Sequence, residues 1–176
     1  LVAIGAAIVE HPVLLLVDEP LADLDEAARV RVIDALDRLA HEAGVCVVVA
    51  EHAVDGWGDR VDARLELRGG AANFIALPDQ MLAERSANPR PSQPWAADAL
   101  PLAHVHDLSV AHGDLVAVSE ANLAVHSGEI VALTGPNGAG KSSLLHAIAL
   151  PRENDRVVVD GHHLRRHPRP DGQRHP

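Results

Sequence analysis

Two groups of residues in this sequence could do chemistry on a phosphate. Gly135-Pro136-Asn137-Gly138-Ala139-Gly140-Lys141-Ser142 has the spacing G-x-x-x-x-G-K-[ST]. Glycines at those places let the backbone curl until several N–H groups converge on phosphate oxygens. A helix beginning at Lys141 would point its positive end at the same spot. Lys141 would contact the β- and γ-phosphates, and the Ser142 hydroxyl would ligate Mg²⁺. Ser143 is grouped with the loop as nucleotide-binding. The second group is the aliphatic run Leu14–Val17 followed by Asp18-Glu19-Pro20. Asp18 could hold the Mg²⁺ shell, and Glu19 could orient and deprotonate an attacking water. An acidic pair after an apolar run is more often a cap or a solvated pair. Pro20 and the later Leu24-Asp25 set this one apart.

The elements that must position these residues read as follows. Residues 1–10 are Ala-rich and helical in pattern, and Pro12 ends them. Residues 13–17 form a continuous apolar run, which suits a strand buried on both faces. Asp25 can cap a helix over 26–42, with Val30, Ile33, Leu36, Leu39 and Ala40 on its apolar side and Gly44 at its end. Residues 45–50 give a second buried strand, ending at Glu51-His52. Residues 61–67 alternate and give a third, closed by Gly69-Gly70. Residues 71–103 are broken by Pro78, Pro89, Pro91, Pro94 and Pro101 and read as a linker, with one short helix over 79–87. Beyond it, 105–110 and 121–125 read as an antiparallel pair. Strand 129–134 leads into the loop, helix 141–150 leaves it, and 156–160 is a last strand. The tail after residue 164 is rich in Pro, His and Arg and reads as disordered.

The bulk properties narrow the function. The chain has 176 residues, 47% of them hydrophobic, so a core of Ala, Val, Leu and Ile is available although aromatics are only 2%. A formal net charge of −10 speaks against a nucleic-acid partner bound through phosphates. The one cysteine, Cys46, sits in an apolar run and reads as a core residue in a reducing compartment. No run approaches the ~18 apolar residues of a membrane span. His162, His163, His167 and His175 sit in a Pro-rich stretch with no cysteine, so no metal cluster is expected. The first residue is Leu, which reads as a piece of a longer sequence.

Taken together, the motifs resemble the ATP-binding cassette family, the motor subunits of ABC transporters. Leu14–Pro20 resembles the family's Walker B strand, which implies Asp18 on Mg²⁺ and Glu19 as catalytic base. Ala22-Asp23-Leu24-Asp25 resembles its D-loop. His52, at a strand end beyond Glu19, resembles the switch histidine that senses the γ-phosphate. Leu108-Ser109-Val110-Ala111-His112-Gly113 resembles the segment that places an aromatic ring on the adenine, with His112 at that position. Glu51-His52 resembles the energy-coupling-factor importers. The resemblance covers about residues 1–69 and 104–161. It implies ATP and Mg²⁺ as cofactors, integral-membrane permease subunits and a second ATPase domain as partners, and a place on the inner face of the cell membrane.

In that family the phosphate loop precedes the acidic strand, and here the order is reversed. The division expected is therefore the C-terminal half of one ATPase domain over 1–70, a linker over 71–103, the N-terminal part of a second over 104–164, and a tail over 165–176. The signature sequence is expected to lie before Leu1. The fold class expected is α/β: a P-loop NTPase parallel sheet with helices on both faces, plus a short antiparallel β segment, in circularly permuted order. Strand 129–134 would then fill a slot between 45–50 and 61–67, bringing Lys141 and Asp18 to one pocket. The function expected is ATP binding and hydrolysis driving solute import. A nucleotide-binding module without turnover, and a soluble twin-cassette protein acting on ribosomes or DNA, are the alternatives.

Overall fold

Short aliphatic runs set the frame of the computed structural model, which describes residues 11–52, 54–75, 77, 100–151 and 156–163. The chain runs β1 (Leu14–Asp18), α1 (Glu26–His41), β2 (Cys46–Ala50), a 3-10 turn (Asp55–Arg60), β3 (Ala63–Arg68), β4 (Ala71–Ile75), β5 (Ala103–His112), β6 (Leu115–Val125), β7 (Ile130–Thr134), α2 (Lys141–Ala149), β8 (Arg156–Val159) and β9 (His162–His163). The helices expected over 1–10 and 79–87, and the tail over 165–176, lie outside the described residues.

The fold is α/β, with a mixed sheet and few helices. Among the described residues the strands form one nine-stranded sheet in the order β1-β2-β7-β3-β4-β6-β5-β8-β9. Its parallel part is β1, β2, β7 and β3. Strand β7 comes from late in the sequence and pairs with β2 on one side and β3 on the other. Every residue of β2 and β7 is buried, as a strand flanked on both edges and covered on both faces must be. Strand alternation divides the core in two. Cys46, Val48, Ala50, Val131 and Leu133 pack with Leu144, Leu145 and Ile148 of α2. Val47, Val49, Ile130 and Ala132 pack with Val32, Ile33, Leu36 and Ala40 of α1 and with Trp57.

Local chemistry fixes the ends of α1. The Asp25 carboxylate accepts the Ala28 N–H at 2.7 Å, which satisfies one orphan donor of the first turn. Gly44, at φ +74°, donates its N–H to the Ala40 carbonyl at 2.9 Å and turns the chain into β2. The buried face differs by one position from the expected one. Val32 is buried, whereas Val30 is 48% exposed.

Two further features depart from the sequence reading. Residues 71–75, expected as linker, are strand β4, paired antiparallel with β3. Gly69 and Gly70 both have positive φ (+59° and +84°), which gives the tight turn a two-residue hairpin needs. The pair expected at 105–110 and 121–125 is a longer hairpin, turning at Gly113-Asp114 between the paired His112 and Leu115. Register shifts between Val105 and Ala111 break its period-two pattern.

Candidate functional site

The parallel strands end their C-terminal edge in polar residues, and that edge carries the site. Asp18 is in register with Ala50, and Ala50 with Leu133. Two strand spacings put Asp18 roughly 10 Å from the strand end that opens the glycine loop. The loop, residues 135–140, leads from β7 into α2.

Two of its glycines are fixed by space as well as by backbone. A Cβ on Gly135 (φ +145°) would lie 2.4 Å from the Leu67 carbonyl oxygen, and one on Gly140 (φ +100°) 2.7 Å from that of Ala117. The loop is thus folded tightly against β3 and β6. Pro136, Asn137 and Gly138 stand exposed at its crest, and Ala139, half-buried, donates its N–H to the Pro136 carbonyl at 3.1 Å. Lys141 is 5% exposed. Its Nζ donates to the carbonyls of Gly135 at 2.9 Å and Pro136 at 3.3 Å. The ammonium is therefore held inside the loop by its own backbone, where it would meet an anion seated there.

A cavity of about 690 Å³ opens beside α2. Asp18, His112, Ser142 and Ser143 all line it, and Leu16 and Leu145 form part of its apolar wall. His112 reaches this place because the β5–β6 hairpin turns just beyond it. Its Nε2 lies 3.0 Å from Ser143 Oγ. The hairpin and the loop's helix are thus joined through two of the residues singled out in the sequence.

Glu19 directly follows β1 and His52 lies two residues past the end of β2, and neither is among the cavity's lining residues. Glu19 has φ +45° and donates its N–H to the Ala50 carbonyl at 2.9 Å. A left-handed glutamate costs energy that the surrounding structure must supply. His52 is exposed, two residues past the end of β2. Between them lies Glu51, which the sequence reading did not place in the site. It is 9% exposed, and its Oε1 is buried with no hydrogen-bond partner among the described residues. Burial pushes its carboxyl above the ordinary range, and the charge of Glu19 adds to that. The N–H groups of Leu21 and His52 and the charge of Arg29 pull the other way.

The donor set suits a nucleotide and its metal. A carboxylate and a serine hydroxyl on one cavity wall are hard oxygen donors of the kind Mg²⁺ takes. A lysine and a backbone cradle that a Cβ would fill suit phosphate oxygens.

A phosphate loop on a parallel strand, with an acidic strand end two strands away, defines the class as a nucleotide-binding α/β protein. Residues 118–175 match the ABC transporter family. An ABC transporter ATP-binding protein of Streptomyces avermitilis is 31% identical over 228 aligned residues, covering 91% of this chain and 40% of that protein. One of Methanosarcina acetivorans is 27% identical, covering 91% of this chain and 33% of that protein. A molybdenum import ATP-binding protein of Brucella abortus is 36% identical over 85 residues, covering 44% of this chain and 24% of that protein. No solved structure matches the chain. The chain belongs to the family of ABC transporter ATP-binding proteins. Domains of this family bind ATP, typically with Mg²⁺, and hydrolyse it. The chain spans about 40% of the length of the Streptomyces relatives. Among the described residues no helix is long and apolar enough to cross a membrane.

Proposed function

We propose that this chain binds MgATP at the 135–142 loop and serves as an ATP-hydrolysing part of an ABC transporter that energises solute import. The observation that carries the reading is that Asp18 and Ser142, from opposite ends of the chain, line one cavity. Lys141 would turn from the Gly135 and Pro136 carbonyls to the β- and γ-phosphates. The N–H groups of residues 138–142 and the start of α2 would hold phosphate oxygens. Asp18 and Ser142 would hold Mg²⁺, which supplies charge neutralisation between the phosphates when bound. Glu19 would orient the attacking water and take its proton, and His52 would read the γ-phosphate. His112, joined to Ser143, would lie against the adenine.

The same sheet supports reading 11–163 as one cassette core in circularly permuted order, with a helix against each hydrophobic cluster. Its partners would be integral-membrane permease subunits and a second ATPase domain, at the inner face of the membrane. Relatives support the motif order. An alignment taking in 91% of 176 residues must include both Asp18 and Lys141, so the longer Streptomyces protein has the same stretch in the same order. That is also the order at the junction of two fused cassettes. A second reading, nucleotide binding without turnover, draws on the chain's 40% span of that relative.

Titration with a fluorescent ATP analogue and Mg²⁺ tests the binding. Lys141→Ala is expected to weaken it at least about tenfold, the cost of one charged hydrogen-bonding group. Equal affinity in wild type and Lys141→Ala would refute the loop as the site. Phosphate release, with Glu19→Gln as control, separates the two readings. Release abolished by Glu19→Gln supports hydrolysis, and none above background in wild type supports binding alone.

A further inference from the structure

The phosphate loop leaves β7 at Thr134, and this threonine is 0% exposed. A hydroxyl buried so completely needs a hydrogen-bond partner. Arg64 of β3 supplies it, with Nε donating to Thr134 Oγ1 at 3.0 Å. The sheet explains the reach. Glu66 is in register with Thr134 and Arg64 with Ala132, so Arg64 and Thr134 share one face of neighbouring strands. Leu65, Leu67 and Leu133 point the other way, into the cluster that includes α2. The Glu66 carboxylate, 3.9 Å from Arg64 Nη2, steadies the guanidinium.

The start of the loop is gripped from two sides. Gly135 follows Thr134 at φ +145° and lies so close to β3 that a Cβ there would stand 2.4 Å from the Leu67 carbonyl oxygen. From the loop's own helix, Lys141 Nζ donates to the carbonyls of Gly135 and Pro136 at 2.9 and 3.3 Å. In the function proposed above, Lys141 gives up those carbonyls for phosphate oxygens. Arg64 holds a buried hydroxyl rather than a loop carbonyl, so its grip does not depend on Lys141.

We propose that Arg64 is a positioning residue for the phosphate loop: its Nε–H holds the Thr134 hydroxyl and so fixes the point at which the loop leaves β7. The proposal rests on the reading of residues 135–142 as the nucleotide loop. A hydrogen bond from a charged donor is about twice as strong as a neutral one, and this one joins β3 to the residue where strand becomes loop. If the bond did no more than satisfy a buried hydroxyl, removing donor and acceptor together would cost almost nothing. If it positions the loop, the double variant is as impaired as either single one.

Amide hydrogen exchange on the full chain, without nucleotide, reads the difference at Ala139, whose N–H closes the loop on the Pro136 carbonyl. In Thr134→Val, in Arg64→Met and in the double variant, this amide should exchange about tenfold faster than in wild type, the loss of one charged anchor. Thr134→Ser keeps the acceptor and should stay within about twofold. The Glu51 amide, bonded to the Leu133 carbonyl one residue before Thr134, should be unchanged throughout. If Arg64→Met speeds that amide as well, the Thr134 single variants decide. Wild-type exchange at Ala139 in Thr134→Val or in the double variant would overturn the proposal, as would a Ser variant as fast as the Val one. With Mg²⁺ and a fluorescent ATP analogue that the wild type binds, Thr134→Val should lose about tenfold in affinity, and equal affinity would also overturn it. Failure of the wild type to bind that analogue would strike the nucleotide reading instead, and exchange at Ala139 would still judge the Arg64 bond.

Discussion

Gly135 and Gly138 both hold positive φ, yet substitution should cost different amounts. A methyl on Gly135 meets the Leu67 carbonyl oxygen at 2.4 Å, so β3 or the loop must move, whereas a methyl on Gly138 (φ +79°) meets nothing within 4 Å. Gly138→Ala carries only the left-handed penalty, about 1–2 kcal/mol. Gly135→Ala adds steric overlap and should cost about 3 kcal/mol or more. Urea unfolding of the two variants measures the difference, and equal losses would contradict the packing described. Glu129 makes a second residue-scale prediction. It is 6% exposed. Burial raises its carboxyl above the ordinary 4.5, against the opposing pull of the His126 N–H and ring. An acid whose folded value lies above its unfolded one binds more protons when folded. Its contribution is therefore greatest at low pH and is lost as pH rises from about 4.5 through the raised folded value. Between pH 5 and pH 7 the urea midpoint of Glu129→Gln should fall less than that of wild type. Parallel falls would show that Glu129 does not contribute.

Helix α1 shows how far local signals reach at the scale of the element. Its cap follows from one side chain, and Asp25→Ala should destabilise the protein by about 1 kcal/mol, read from thermal or urea unfolding, with Asp25→Asn nearly neutral. Loss of much less than this would mean that tertiary packing alone holds the first turn. The cap, the Gly44 stop and the buried strands were legible because each depends on a few neighbouring residues. The glycine loop was legible for the same reason. Strand β4 was signalled by Gly69-Gly70 and was obscured by the prolines that follow it. The length of the β5–β6 hairpin was hidden by bulges, since Val105, Leu108 and Val110 do not keep one period. Asp107 and Glu120 take positive φ within those strands, and neither type announces that in sequence. Glu51 was illegible as a site residue for a different reason. Its burial is a tertiary fact that its own neighbours in sequence do not announce. Had the chain lain otherwise, the same glutamate would end a strand in water.

At the scale of the whole molecule, the question is whether the two halves of the sequence are one folding unit. Strand β7 is the middle of the parallel sheet, and every residue of it is buried between β2 and β3. The halves are also joined at the opposite edge from the loop. Asp62 accepts the Ile130 N–H through its side chain at 2.8 Å and donates its own N–H to the Ile130 carbonyl at 2.8 Å. Ser127 Oγ donates to the Gly44 carbonyl at 3.0 Å, and Cys46 Sγ lies 3.2 Å from the His126 carbonyl. Without β7, facing edges of β2 and β3 would carry unpaired backbone groups, and Val47, Val48 and Val49 would lose one flank of their packing. Residues 1–99 expressed alone should therefore show no cooperative urea transition. Trp57, 1% exposed in the full chain, reports this in a Trp95→Phe background, since the sequence has two tryptophans. Mixing in residues 100–176 should restore its buried fluorescence, and the restored complex should unfold in one step. A first half that unfolds cooperatively at the midpoint of the full chain would mean that β7 only docks on a finished domain. Asp18 and Ser142 would then owe their shared cavity to docking of two separate units.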